Sequence, residues 1–205
     1  MAVRQISVDS LLRQADEFFM GTGPIQLTMT SLAHRLAEAD IDYAVAGGMA
    51  LMLHGYRRET VDLDILLTAE GRDRLEEKLV GLGYAPLFPG ARKRFRDTAT
   101  RVEIDLIITG EYPGDGNPKP VAFPDPTQAS IEIEGLRILK LERLIELKLA
   151  SGMTAPDRLR DLADVQELIK VKNLSDGVAE QLDPYVRNKY LELWNTIREA
   201  THSEE

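Results

Sequence analysis

Residues 61–67, Val-Asp-Leu-Asp-Ile-Leu-Leu, alternate so that Val61, Leu63, Ile65 and Leu67 share one face of an extended strand while Asp62, Asp64 and Leu66 share the other. Residues 101–108 repeat the pattern, with Val102, Ile104, Leu106 and Ile108 opposite Glu103, Asp105 and Ile107. A chain with two such strands must lay their apolar faces on a core, which commits it to a sheet whose other face carries carboxylates. Asp62 and Asp64 then stand with Cα atoms about 7 Å apart on one face, from a rise of about 3.3 Å per residue. Asp105 can supply a third carboxylate if the two strands are neighbours. Oxygen ligands of this kind suit Mg²⁺ or Mn²⁺ rather than zinc. Without a cation they repel one another and their pKa values rise. The plain alternative is a solvated polar face.

The remaining pattern predicts helices over 7–20 and 26–40, a short strand at Tyr43–Ala46, a glycine turn at Gly47-Gly48 and a short helix over Met49–His54 ended by Gly55. A helix over about 69–82 stops at Gly83. Seven Pro and Gly residues between 111 and 127 predict a loop with room to move, and a hairpin turns at Gly135 within 130–139. Helices follow at 141–151, 157–172, 175–182 and 184–201. The order describes an α/β chain of the α+β type, a mixed sheet flanked by helices, with a boundary near residue 140. Residues 1–140 form a core with N-terminal helices, and 141–205 a helical region packed on it.

Composition narrows the function. The chain of 205 residues has no cysteine, which excludes disulfides, thiolate zinc sites and cysteine nucleophiles. Its 25 Lys and Arg against 34 Asp and Glu leave a net charge of −9, so a general nucleic-acid coat or anionic-membrane binder is not expected. Arg4, Asp9, Arg13, Asp16 and Glu17 interrupt the first residues before a signal-peptide core can form. No apolar run approaches the roughly 20 residues of a membrane span. A cytoplasmic protein without membrane contact is expected.

Several residues suit an anionic ligand. Gly47-Gly48 lets backbone N–H groups approach a phosphate, or is an ordinary tight turn; it is no Walker loop, because no Gly-Lys-Ser/Thr follows. Arg57 and Arg58 offer planar donor forks just before Asp62. Lys148 shares a helix stripe with Leu141, Leu144 and Ile145, an unusual address for an ammonium group unless its tip reaches an anion or snorkels from the core edge. Asp161 and Asp164, three apart on one helix, could orient Lys148 or make a surface ion pair. Arg92, Lys93, Arg94, Arg96 and Arg101 form a basic cluster around Phe95, read either as an RNA or triphosphate contact or as the solvated edge of a strand. His34 and His202 receive no role, His54 is a helix cap or pocket residue, and Tyr190 and Trp194 are packing residues.

Taken together, Gly47-Gly48-Met49-Ala50-Leu51, His54-Gly55 and Arg58-Glu59-Thr60-Val61-Asp62-Leu63-Asp64, with 13 residues between Gly48 and Asp62, resemble the core motif of the polymerase-β-like nucleotidyltransferases. Within that superfamily the form resembles the minimal bacterial enzymes grouped with the abortive-infection toxins. Leu144-Ile145-Glu146-Leu147-Lys148-Leu149 and Arg160-Asp161-Leu162-Ala163-Asp164-Val165 resemble that group's lysine helix and Arg-Asp-x-x-Asp helix. The likeness covers about residues 30–170. Ala163 stands where the family often has an aromatic or larger residue, and 173–205 lie outside the likeness.

The resemblance implies transfer of a nucleoside monophosphate from an NTP, such as ATP, to an acceptor with release of pyrophosphate. It implies Mg²⁺ or Mn²⁺ held by Asp62, Asp64 and Asp105, with Asp105 as general base and Lys148 also catalytic. Gly47, Gly48, Arg58, Thr60, Lys148, Asp161 and Asp164 would bind the nucleotide. The acceptor it suggests is transfer RNA, with a cognate antitoxin as partner. Two alternatives stand beside it. A small hydroxylated acceptor of the antibiotic type fits the acidic chain, since negative charge attracts amines and repels phosphates. A non-catalytic nucleotide-binding partner protein would use the helical tail as a surface. A phosphohydrolase is disfavoured for want of a histidine-aspartate cluster.

Overall fold

The computed structural model describes residues 23–202, so the helix expected at 7–20 lies outside the described residues. Helix α1 (Pro24–Glu38) opens with Pro at its first position, where the missing N–H costs no helical bond. It buries Ile25, Met29, Leu32 and Leu36, one stripe at helical spacing. Then come β1 (Tyr43–Val45), α2 (Gly47–Leu53), β2 (Asp62–Leu67), α3 (Ala69–Leu79), β3 (Tyr84–Pro86), β4 (Arg94–Asp97), β5 (Glu103–Ile108), α4 (Pro126–Ala129), β6 (Ser130–Ile133) and β7 (Leu136–Leu139). The last part is helical: α5 (Leu141–Thr154), a 3₁₀ turn (Pro156–Arg158), α6 (Leu159–Lys172), a second 3₁₀ turn (Asp176–Gln181) and α7 (Pro184–His202).

The seven strands form one mixed sheet in the order β3-β4-β5-β2-β1-β7-β6. Strands β2 and β5 are the parallel central pair, and β1 runs antiparallel to β2 and parallel to β7. Leu63, Ile65, Ile104 and Leu106 are buried, as their alternation requires. The same apolar cluster continues through Leu144, Ile145, Leu149, Val165, Leu168, Val186 and Tyr190, so the C-terminal helices share the core of the sheet. Gly152 makes the α5–α6 contact close, since a Cβ there would meet Leu162 Cγ at 2.6 Å.

Three expectations change. Helix α3 stops at Leu79, because Val80 is extended and the chain turns through Gly81 and Gly83 into β3. The basic cluster does not lie on a sheet edge: β4 sits between β3 and β5, with Phe95 and Asp97 turned inward and Arg94 and Arg96 outward. The 111–127 segment is an irregular loop, but it is tied down rather than free to move. Gly110 N donates to Phe123 O and Phe123 N to Glu111 O, both at 2.8 Å, and Thr109 Oγ1 donates to Pro124 O. Lys119, its side chain 5% exposed, donates to Pro113 O and Asp115 Oδ1 at 2.5 Å.

Candidate active site

Parallel pairing sets Asp64 directly beside Asp105 and Asp62 beside Glu103. Asp62, Asp64 and Asp105 therefore share one sheet face, and all three line a cleft of about 880 Å³ whose opposite wall is α5 with the start of α6. Asp64 sits in an unfavourable electrostatic environment. Burial, then the charges of Asp62 and Asp105, push its carboxyl from 3.8 up to about 7, against the pull of Lys148 and Arg158.

The glycine pair has a steric reason to be there. Gly47 adopts φ +53°, and a Cβ on it would fall 1.7 Å from Asp64 Oδ2; a Cβ on Gly48 would fall 2.6 Å from Thr60 Oγ1. Strand β1 and helix α2 are thus pressed onto the carboxylate strand so closely that only glycine fits. Thr60 Oγ1 in turn donates to Asp62 Oδ1 at 2.8 Å and fixes that carboxylate's rotamer. Ala46 N donates to Asp64 O at 2.9 Å, which ties the turn to the strand.

The helical wall carries its own charges. Lys148, 7% exposed, donates to Asp161 Oδ1 at 2.8 Å and to Asp164 Oδ2 at 2.7 Å. Asp164, 2% exposed, also holds Arg58, whose Nε lies 3.0 Å from Oδ1. Ser151 Oγ donates to Asp161 Oδ2 at 2.6 Å. Every expected site residue but Asp164 lines the cleft itself, and Asp164 lies behind it as the common partner of Arg58 and Lys148.

One contact at the site was not anticipated. Arg94 Nε donates to Asp105 Oδ1 at 3.1 Å and Arg94 Nη2 to Glu103 Oε2 at 3.0 Å, so a member of the basic cluster touches the third carboxylate. The signal was present in the alternation of Arg94 and Arg96, which only needed β4 as the antiparallel neighbour of β5. Three more residues of the cluster are also engaged. Arg92 pairs with Asp73 and Glu76, Lys93 with Glu111, and Arg96 with Glu103. His54 Nε2 donates to Leu139 O at 2.8 Å, and the residue is the C-cap of α2 outside the cleft.

The donor set fits a hard divalent cation in chemistry: carboxylate oxygens alone, on neighbouring strands, one of them destabilised by burial and then by the others. Among the described residues, no three acidic or histidine side chains converge closely enough to hold a cation as they stand. Thr60 occupies one oxygen of Asp62 and Arg94 one of Asp105.

A family model described as aminoglycoside-2''-adenylyltransferase matches residues 28–127, just under half of the chain. No curated protein matches by sequence. The crystal structure of ANT(2'')-Ia in complex with adenylyl-2''-tobramycin is similar over 80% of this chain and 98% of that one, with 16% identity and a TM-score of 0.50. A Helicobacter pylori protein described as a nucleotidyltransferase has 19% identity over 98% and 99% of the two chains, at a TM-score of 0.44. A nucleotidyltransferase-like protein of Paracoccidioides brasiliensis has 17% identity over 72% and 76%, at 0.47. The fold is that of a nucleotidyltransferase, and the family match over residues 28–127 supports the same class. Among the described residues no helix is long and apolar enough to cross a membrane.

Proposed function

We propose that the chain transfers a nucleoside monophosphate from an NTP to a hydroxyl group of a cationic small molecule of the aminoglycoside type. The observation that carries the transfer is the set of Asp62, Asp64 and Asp105 on adjacent strands beneath the Gly47-Gly48 turn. The acceptor class rests on the matched family model and on charge. The chain carries a net −9, and its basic cluster is largely consumed by internal ion pairs, which leaves little of it for RNA phosphates. The abortive-infection branch, a transfer-RNA acceptor and an antitoxin partner draw no support from these features.

On this reading the acceptor oxygen attacks the α-phosphorus, the bond to the β-bridging oxygen breaks, and pyrophosphate leaves. Asp105 orients the attacking hydroxyl and takes its proton. Gly47 and Gly48 keep the turn low enough for phosphate to lie against backbone, and Thr60 holds Asp62 in place. A Mg²⁺ or Mn²⁺ held by Asp62, Asp64 and Asp105 would supply charge neutralisation at the α-phosphate and the leaving pyrophosphate. Residues 1–140 are the catalytic core in this proposal, and 141–205 the helical region that brings Lys148 to it.

Wild type and Asp64→Ala, incubated with Mg²⁺, α-labelled ATP and either an aminoglycoside panel or bulk tRNA, test the reading. Label on an aminoglycoside that Asp64→Ala abolishes is the expected result. Label on tRNA alone would replace the acceptor class, and no NTP binding or transfer of any kind would overturn the transfer reading.

A further inference from the structure

The cations that the family resemblance assigns to the nucleotide are already neutralised. Arg58 and Lys148 contribute two positive charges, and Asp161 and Asp164, within 2.7–3.0 Å of them, contribute two negative ones. A triphosphate with its β and γ groups in the cleft meets no net charge from that quartet, and recruiting either cation would take one of its two partners from the buried Asp164.

Two other cations face the same cleft without such a commitment. Arg158 ends the 3₁₀ turn before α6 and Arg160 lies in the first turn of α6; both are exposed, and both line the cleft. Neither guanidinium makes a hydrogen bond or ion pair among the described residues, although Asp157 lines the cleft beside them. Arg158 is close enough to act electrostatically on Asp64, across the cleft. A guanidinium is a planar fork of donors matched to phosphate oxygens, and these two stand one residue apart at the mouth.

We propose that Arg158 and Arg160, rather than Arg58 and Lys148, bind the β- and γ-phosphates of the NTP, while the Arg58-Asp164-Lys148-Asp161 quartet holds the α5–α6 wall in position. The inference rests on the nucleotidyl-transfer reading. It makes affinity for the triphosphate tail a property of the turn before α6.

Calorimetric titration of wild type, Arg158→Gln, Arg160→Gln and the double variant with ATP and with AMP, in Mg²⁺, tests it. Loss of a charge-assisted contact should weaken ATP by about tenfold or more per arginine and AMP by less than about twofold. Arg58→Gln serves as the contrast: it should lower the melting temperature by leaving Asp164 short of a partner, with a smaller effect on the ATP-to-AMP ratio. Unchanged ATP affinity in the double variant, or equal losses for ATP and AMP, would sink the inference alone. An Arg58→Gln variant that folds like wild type and loses the ATP preference would return the role to Arg58. A wild type that binds no ATP would remove the transfer reading, and this inference with it.

Discussion

The two walls of the cleft handle charge in opposite ways. On the sheet wall Asp62, Asp64 and Asp105 share one face, and burial, then the charges of the other two, push Asp64 up to about 7. On the helical wall Arg58, Lys148, Asp161 and Asp164 balance one another at hydrogen-bond distance. A site that is to take a cation and a triphosphate needs uncompensated charge, which works against folding stability. A quartet that only positions, as distinct from Arg158 and Arg160 on the same wall, needs none. The contrast therefore separates chemistry from scaffold, and substitutions on the two walls should move activity and stability in different directions.

The largest effect is expected on the sheet wall. Asp64→Asn or Asp105→Asn should lower transfer by about 10³-fold or more, since charge placed at the reacting phosphate is commonly the largest single catalytic contribution. The same Asp64→Asn should leave the fold intact and raise its stability, by about 0.5–2 kcal/mol in the manner of other strained active-site residues. Loss of activity together with a lowered melting temperature would erase the distinction between the walls.

The mirror experiment is Asp164→Ala. It leaves the buried Lys148 with Asp161 alone and Arg58 with no carboxylate, so a loss of about 3–5 kcal/mol is expected, or a drop in melting temperature of roughly 10 °C or more. Replacing Lys148 by Met in the same variant should recover part of the loss, because the uncompensated cation is then gone. A melting temperature within a degree or two of wild type would mean that the quartet is not what holds α6 to α5.

How much of this was legible beforehand follows from the range of the interactions. Strands β2 and β5 announce themselves because period-two alternation has to satisfy an apolar core on one face, and the carboxylates ride on the other. The hairpin at Gly135 and helices α5 to α7 follow from equally local rules. Strands β3 and β4 do not: they have three and four residues, Pro86 ends one and charges dominate the other, so their sheet membership comes from their neighbours. The ion pairs at the site are less legible still. Arg58 and Asp164 are 106 positions apart, and nothing in either segment says that one will neutralise the other. The sequence pointed to Lys148 and Asp164 as residues of the site; it could not say that they spend their charges on each other.

The sheet wall also makes a pH prediction. Asp64 binds its proton far more readily in the folded chain, at about 7, than in the unfolded one, at 3.8. Between those values the folded state holds more protons, so its stability falls as pH rises. Without divalent cation, wild type should lose several degrees of melting temperature between pH 5 and pH 8 that Asp64→Asn does not lose. Added Mg²⁺ should flatten the wild-type slope if the cation binds the ionised carboxylates. Parallel curves for wild type and Asp64→Asn would show that burial and the neighbouring carboxylates do not raise Asp64 in solution.

The smallest expected effect lies outside both walls and bears on the acceptor. Arg92 and Lys93 pair with Asp73, Glu76 and Glu111 on exposed surface, and exposed pairs contribute little because water and salt screen them. Arg92→Ala/Lys93→Ala should shift the melting temperature by no more than about 2 °C. Transfer to a cationic small molecule should be unchanged, because removing two cations from an acidic chain does not weaken its attraction for amines. An RNA acceptor predicts the opposite. If these cations exchanged their internal partners for phosphates, their loss would weaken RNA binding and flatten its salt dependence by about one unit of slope for each contact. A variant that keeps aminoglycoside transfer while showing no RNA interaction to lose would place acceptor recognition within the acidic cleft.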